Sequence, residues 1–173
     1  MTSLSKYDII INLIPGIIFI VLLPEPLKGK LDTGTIWQDM CLSYFSGLII
    51  GRIGSLIIEP VINTKFFNYA LVHRVSYSEY ILAKKLDEDI ELLNEKNTLY
   101  RTMSALCFCV FITVLYTEYT ELQDIFSSII QTLSSSGGMF LFFAMLFVYA
   151  IRKQSMYVVK RVKVVLHNNH VNE

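Results

Sequence analysis

The sequence predicts an all-α fold: a bundle of four transmembrane helices with a small cytoplasmic helical extension. Three observations lead there. Hydrophobic residues make up 53% of the 173-residue chain and charged residues only 17%, with a mean hydropathy of +0.49, whereas soluble domains carry roughly 25% charged residues. The missing charge is concentrated in four apolar runs of about the length that crosses a bilayer. Lysine and arginine are also sorted to alternate loops, the pattern that sets membrane orientation. A chain this short forms one compact domain at most. Its formal net charge of zero gives no argument for nucleic acid as a partner.

The first run, residues 7–23, holds Pro15-Gly16 near its middle, where proline removes a backbone donor and favours a kink. It lacks a small-residue cleavage site and is followed by Pro24-Glu25-Pro26, so it reads as a retained helix and not a cleaved signal. Residues 24–39 make a short loop broken by Gly29 and Gly34, with Trp37 placed as an interfacial anchor. The second run, residues 40–62, carries only Arg52 and Glu59 as charges and bends at Pro60. Residues 63–101 are polar and turn helical from Tyr77, where Ser76 and Glu79 have capping-box spacing. No glycine or proline interrupts residues 77–119. One helix of roughly 60 Å is therefore expected to pass from the cytoplasm into the third run, residues 102–119. The fourth run, residues 125–151, is uncharged but too long for one straight span. Residues 137–151 are expected to cross, with Ser134 to Ser136 at the outer interface and residues 125–133 near the outer surface. The basic tail, residues 152–173, places Val158, Val159, Val162, Val165 and Leu166 on one helical face, although its valines also suit a strand.

Lys65, Arg74, Lys84, Lys85, Lys96 and Arg101 lie in the long loop, and Arg152, Lys153, Lys160, Arg161 and Lys163 in the tail. The connection between runs three and four holds only Glu118, Glu121 and Asp124. Both termini and the long loop are therefore expected in the cytoplasm, with the protein multi-pass in its membrane. Lys28 and Lys30 are a mild exception. The chain divides into four segments: a first transmembrane hairpin (1–62), a cytoplasmic helical segment (63–101), a second hairpin (102–151) and a basic cytoplasmic tail (152–173). About sixty residues in two pieces are too few for an ordinary catalytic domain.

Arg52 costs at least about 2.5 kcal/mol in a span. With Ser55 and Glu59, seven residues on, it forms an intramembrane polar stripe. The stripe reads either as a buried ion pair holding helices in register or as a polar pathway. Gly47, Gly51 and Gly54 have the small-residue spacing that lets helices approach closely in lipid, within one chain or between copies. Leu82, Leu86, Ile90 and Leu93, with Tyr100, make an apolar stripe expected to contact the tail, a neighbouring subunit or a partner. Arg101, beside Tyr100, is an interfacial anchor or part of a ring about an oligomer axis. Cys41, Cys107 and Cys109 form no disulfide framework or zinc site, and His73, His167 and His170 have no ligand spacing. Phosphate-loop, nucleophile-elbow and membrane-protease motifs are absent. No enzyme activity, cofactor or metal is expected.

The order of elements, with Asn94-Glu95-Lys96-Asn97-Thr98-Leu99-Tyr100-Arg101 running straight into a span, resembles small multi-span membrane proteins of bacterial anti-phage systems. It is most similar in layout to the membrane subunit of the Kiwa system, a four-span protein that works with a cytosolic DNA-binding subunit. It also resembles the cyclic-oligoadenylate-gated membrane effectors of type III CRISPR systems. Those need a soluble sensor domain, which sixty divided residues fit less well. The resemblance covers layout and one segment, and carries over no ligand or catalytic residue. It implies a homo-oligomer in the bacterial inner membrane, taken as a tetramer, that senses or scaffolds at the bilayer, binds a cytosolic protein and makes no direct nucleic-acid contact. The alternatives are a ligand-gated pore and a small transporter, the latter weakened by the lack of symmetry between the halves.

Overall fold

A computed structural model describes residues 3–29, 34–63, 75–122 and 124–171, and among them every element is helical. In chain order these are α1 (Ser3–Leu22), α2 (Glu25–Lys28), α3 (Ile36–Ile53), a π-helical turn (Gly54–Ile58), α4 (Glu59–Asn63), α5 (Tyr77–Leu86), α6 (Asp89–Leu122), α7 (Ile125–Ser134) and α8 (Ser136–Val171). Lys30, Lys65, His73 and Arg74 lie outside the described residues. Among the described residues, three helical stretches are long and apolar enough to cross a membrane: Ile36–Val61, Asp89–Leu122 and Ser136–Asn168. Within α1 the apolar part is shorter, Ile11–Leu22.

Helix α6 is the centre of the bundle. It packs most extensively on α8, as α1 does on α3, and α1, α3 and α7 also touch it. Contacts fix the directions. Val114 meets Gly137, Ser104 Oγ donates to the Ala144 carbonyl at 3.1 Å, and Asn97 meets Ser155; partners climb on one helix as they descend on the other, so α6 and α8 are antiparallel. Gly54 lies on Arg101 and Ala105, and Ile50 clusters with Ala105, Leu106 and Val110, so α3 is also antiparallel to α6. That cluster is the main apolar core, with Ile18 and Phe19 of α1 against it.

The α1–α3 crossing is set by glycine. A Cβ on Gly16 would fall inside the Ser43 carbonyl, and one on Gly47 inside the Asn12 carbonyl. Two backbones can come this close only where the residue facing the neighbouring carbonyl has no side chain. Helix α1 runs through the buried Pro15 without a break, the lost donor being tolerable inside a packed helix. Gly47 thus packs within one chain, as does Gly54.

One expectation needs correcting. The single helix over residues 77–119 is broken at Asp87 and Glu88. Asp87 is extended (φ −146°, ψ 107°), and its Oδ1 accepts the Asp89 N–H at 3.0 Å, a side-chain bond that competes with helix propagation. The capping box at Ser76 and Glu79 does form. Helix α6 runs without interruption through residue 101, a continuity expected from the sequence, and α8 does so through residue 151. The strand reading of the tail gives way to helix, because Val162 is fully buried against Ala83 and Ile90, with Val158, Val165 and Leu166 beside it.

Gly47→Leu should therefore push α1 from α3 and destabilise the bundle by about 1–3 kcal/mol or more, read as a lower midpoint for thermal aggregation in detergent. Gly29→Ala, whose Cβ would meet only the Glu25 carbonyl at 3.6 Å, should leave that midpoint unchanged.

Candidate functional site

The polar side chains of the bundle concentrate at the end of α6 around residues 87–101. Arg101 Nη1 donates to Glu59 Oε2 at 2.7 Å, joining α6 to the short helix after the π-turn. Four residues back, Asn97 Nδ2 donates to Ser155 Oγ at 3.3 Å, and Gln154 Nε2 donates to the Leu93 carbonyl at 3.2 Å. These bonds tie α6 to the end of the α3 stretch on one side and to α8 on the other. Two atoms here, Asn97 Oδ1 and Arg101 Nε, are buried without a hydrogen-bond partner, so each carries a desolvation cost that its neighbours must offset. Tyr100 and Phe147 stack above this level, with ring centroids 6.4 Å apart.

Further out, Arg161 of α8 clamps the α5–α6 junction. Its Nε donates to Asp87 Oδ2 at 2.6 Å and its Nη2 to Asp89 Oδ2 at 2.8 Å. The same Asp87 that breaks the helix thus anchors the tail. The hydrogen bond from Arg161 holds the Asp87 carboxyl below its ordinary range. Lys84 pairs with Glu91 at 2.7 Å across the break, and that hydrogen bond raises the Lys84 ammonium. Beneath these pairs lies the small core of Ala83, Ile90 and Val162.

The residues singled out in the sequence are only partly brought together. Arg52 and Glu59 would stack on one face of a regular helix. The π-turn between them holds about one extra residue, which rotates the next turn of helix by roughly 100°. Glu59 is turned to Arg101, whereas Arg52 is exposed and has no ion-pair partner among the described residues. Ser55 Oγ donates to the Arg52 carbonyl at 3.0 Å and so serves its own helix. Gly51 approaches only the Asn12 side chain. The apolar stripe is split by the break: Ile90 is fully buried, while Leu82 and Leu86 are about half exposed (53% and 50%). Leu93 is half-buried. Arg101 is held by its own chain.

Sequence reasoning missed Arg161 and Asp87 as partners. The signal available was the acidic triplet Asp87-Glu88-Asp89 inside an otherwise apolar-periodic helix, which is poor helix-interior sequence. No metal-binding group of histidine, cysteine and acidic side chains occurs among the described residues. No known protein family, curated protein or solved structure matches this chain.

The clamp gives a signed pH dependence. A carboxyl lowered in the folded state contributes stability above its unfolded pKa of about 3.9 and loses it as pH falls through the lower folded value. Amides of α5 should therefore keep their hydrogen-exchange protection from pH 7 to about 4 and lose it in stronger acid. In Arg161→Ala, α5 should already exchange faster at pH 7, with the spans unaffected.

Proposed function

We propose that this protein is a homo-oligomeric inner-membrane sensor or scaffold subunit of a bacterial anti-phage system, coupling an event in the bilayer to a cytosolic partner protein. In this reading α1, α3, α6 and the α7–α8 pair make four crossings, with both termini in the cytoplasm. The observation that carries it is the continuity of α6 and α8. Each runs unbroken from an apolar span into a charged stalk, and the two are cross-tied by Asn97–Ser155, Gln154–Leu93 and Arg161–Asp87. A tilt of such a pair in the membrane moves its far end as a rigid body. Lys84, Lys85, Lys96, Arg152, Lys153, Lys160 and Lys163 all lie at the stalk end, whereas at the other end the charges of the α6–α7 connection are all acidic and Lys28 is the exception, which supports a cytoplasmic stalk. Tyr77, Leu82, Leu86 and Leu92 are exposed on the stalk, an apolar surface of the kind that marks protein contacts. The assignment to defence draws on the resemblance in layout to anti-phage membrane proteins.

In mild detergent the protein should run as an oligomer and retain a cytosolic protein encoded beside it. Leu82→Asp with Leu86→Asp should release that protein while membrane insertion and oligomer size stay the same. A monomer that retains nothing would overturn the proposal.

A gated pore is the second reading, and Arg52 is what favours it. An exposed arginine within the stretch Ile36–Val61, without an ion-pair partner among the described residues, needs water or a second copy. Under this reading, purified protein conducts in planar bilayers and Arg52→Leu changes the conductance.

A further inference from the structure

In the stalk, α6 and α8 are covered on one side only. Helix α5 lies over Ile90 of α6 and Val162 of α8, with Ala83 between them. Val164 stands two residues from Val162 and so points to the opposite side of α8. It is 57% exposed, and Tyr157, seven residues earlier on the same face, is 49% exposed. Between these side chains and α6 runs an open groove of about 610 Å³, with Leu93 and Val165 in its wall and Asp87 and Arg161 beside them.

The charge around this groove is one-sided. Lys153, Tyr157, Lys160 and Val164 follow one another at steps of four, three and four and are all exposed, which makes them a single stripe along α8. Lys96 is exposed on α6, three residues from Leu93 and on the same side of that helix. Among the described residues, Lys96, Lys153 and Lys160 have no ion pair. The acids nearby do not balance them. Asp87 and Asp89 are held by Arg161. Glu91 pairs with Lys84, and Glu95 shares the Glu91 face of α6. Glu88, exposed at the helix break, does not line the groove. From Arg152 to Val171 the chain carries no acid at all.

Position and shape narrow what can cover these side chains. Leu93 is about 12 Å along α6 from Arg101, where the apolar run begins. A headgroup layer is roughly 5–8 Å deep on each side of a bilayer, so lipid ends short of the groove. A small molecule is held in a pocket that encloses most of its surface, whereas this groove is open along its length and bounded by two antiparallel helices, a seat for a third helix. A second copy placed by twofold symmetry would set Lys160 against Lys160, which is unfavourable. Leu86, one of the exposed leucines already ascribed to the partner contact, directly precedes Asp87 of the groove wall.

We infer that the α6–α8 groove seats an acidic amphipathic helix of the cytosolic partner. Its apolar side chains enter between Tyr157 and Val164 and rest on Leu93 and Val165, and its acidic flanks meet Lys96, Lys153 and Lys160. The inference deepens the proposed function and rests on its cytoplasmic stalk. The charges set the choice of partner and the rate of encounter, and the apolar floor holds the helix once seated.

The test uses the whole protein in nanodiscs of zwitterionic lipid and two fluorescent synthetic peptides of about eighteen residues, long enough to hold a helix. Both carry one stripe of leucines, flanked by glutamates in one peptide and by lysines in the other. By anisotropy the glutamate peptide should bind at least about tenfold more tightly than the lysine peptide, and its binding should weaken as salt rises. Lys153→Glu with Lys160→Glu should reverse the preference, and Val164→Asp should weaken binding of the glutamate peptide. Lys28→Glu with Lys85→Glu makes the same change of charge away from the groove and should leave the preference intact. All five positions are exposed, so the fold should tolerate each variant. Equal binding of the two peptides, or loss of the preference in the Lys28 and Lys85 variant, overturns the inference. So does break-up of the oligomer by Lys153→Glu with Lys160→Glu, which would assign the groove to a second copy. If that variant still retains the neighbour-encoded protein while Leu82→Asp with Leu86→Asp releases it, the groove is refuted and the proposed function stands.

Discussion

The antiparallel pairing of α6 with α8 is the constraint on which the other contacts depend. Lipid supplies no hydrophobic drive for two helices to associate, so the pair is held by packing and by hydrogen bonds placed along its length. Ser104 reaches the Ala144 carbonyl in the apolar part, Asn97 and Gln154 bridge at the boundary, and Arg161 closes the charged end. These bonds differ in character with depth. The deepest uses one hydroxyl on a carbonyl, which leaves no charge to desolvate. The outermost uses a guanidinium on two carboxylates, which costs little because water solvates it.

The first hairpin is built by a different rule and attached at one polar point. Gly16 and Gly47 bring α1 and α3 into backbone contact, giving a tight unit. That unit meets α6 through the Ile50 cluster and through Glu59 on Arg101. The π-turn at Gly54–Ile58 fits this arrangement. Gly54, the first residue of the turn, lies against α6, 3.2 Å from a would-be Cβ to the Arg101 carbonyl, and the extra residue of the turn changes the direction in which Glu59 emerges. A regular helix there would carry Glu59 onto the exposed face of Arg52.

Helical class, the long apolar runs and the capping box at Ser76 were legible because each depends on local pattern: hydropathy, charge sorting and a three-residue spacing. The features the sequence concealed depend on partners far along the chain. Nothing local distinguishes Gly16 and Gly47, which face a neighbouring backbone, from Gly51, which does not. The break at Asp87 lies in a stretch free of glycine and proline, the residues on which helix ends are usually read. It is stabilised by an arginine more than seventy positions later. The apolar stripe failed for the same reason. Leu82 and Leu86 line up with Ile90 only if the helix is continuous, and once it breaks, Ala83 takes the buried place.

The two ends of α6 are held unequally, and this bears on how the bundle could respond to its surroundings. At the charged end the unpaired atoms, Asn97 Oδ1 and Arg101 Nε, are buried in contacts that fix α6 against both neighbours. Their cost is carried by the ion pair and the bonds around them, so that end is over-determined. At the Asp124 end the bundle is closed by α7, a ten-residue helix bounded by Asp124 and by the break at Ser135. Helix α7 has no ion pair among the described residues and holds to the bundle through Ser128 and Thr132. A short helix with few ties opens at lower cost than the elements it leans on. Displacement at the bilayer level is therefore cheapest at α7. The continuity of α8 from Ser136 to Val171 then carries any shift at its first turn along a stiff rod to Arg161 and the stalk.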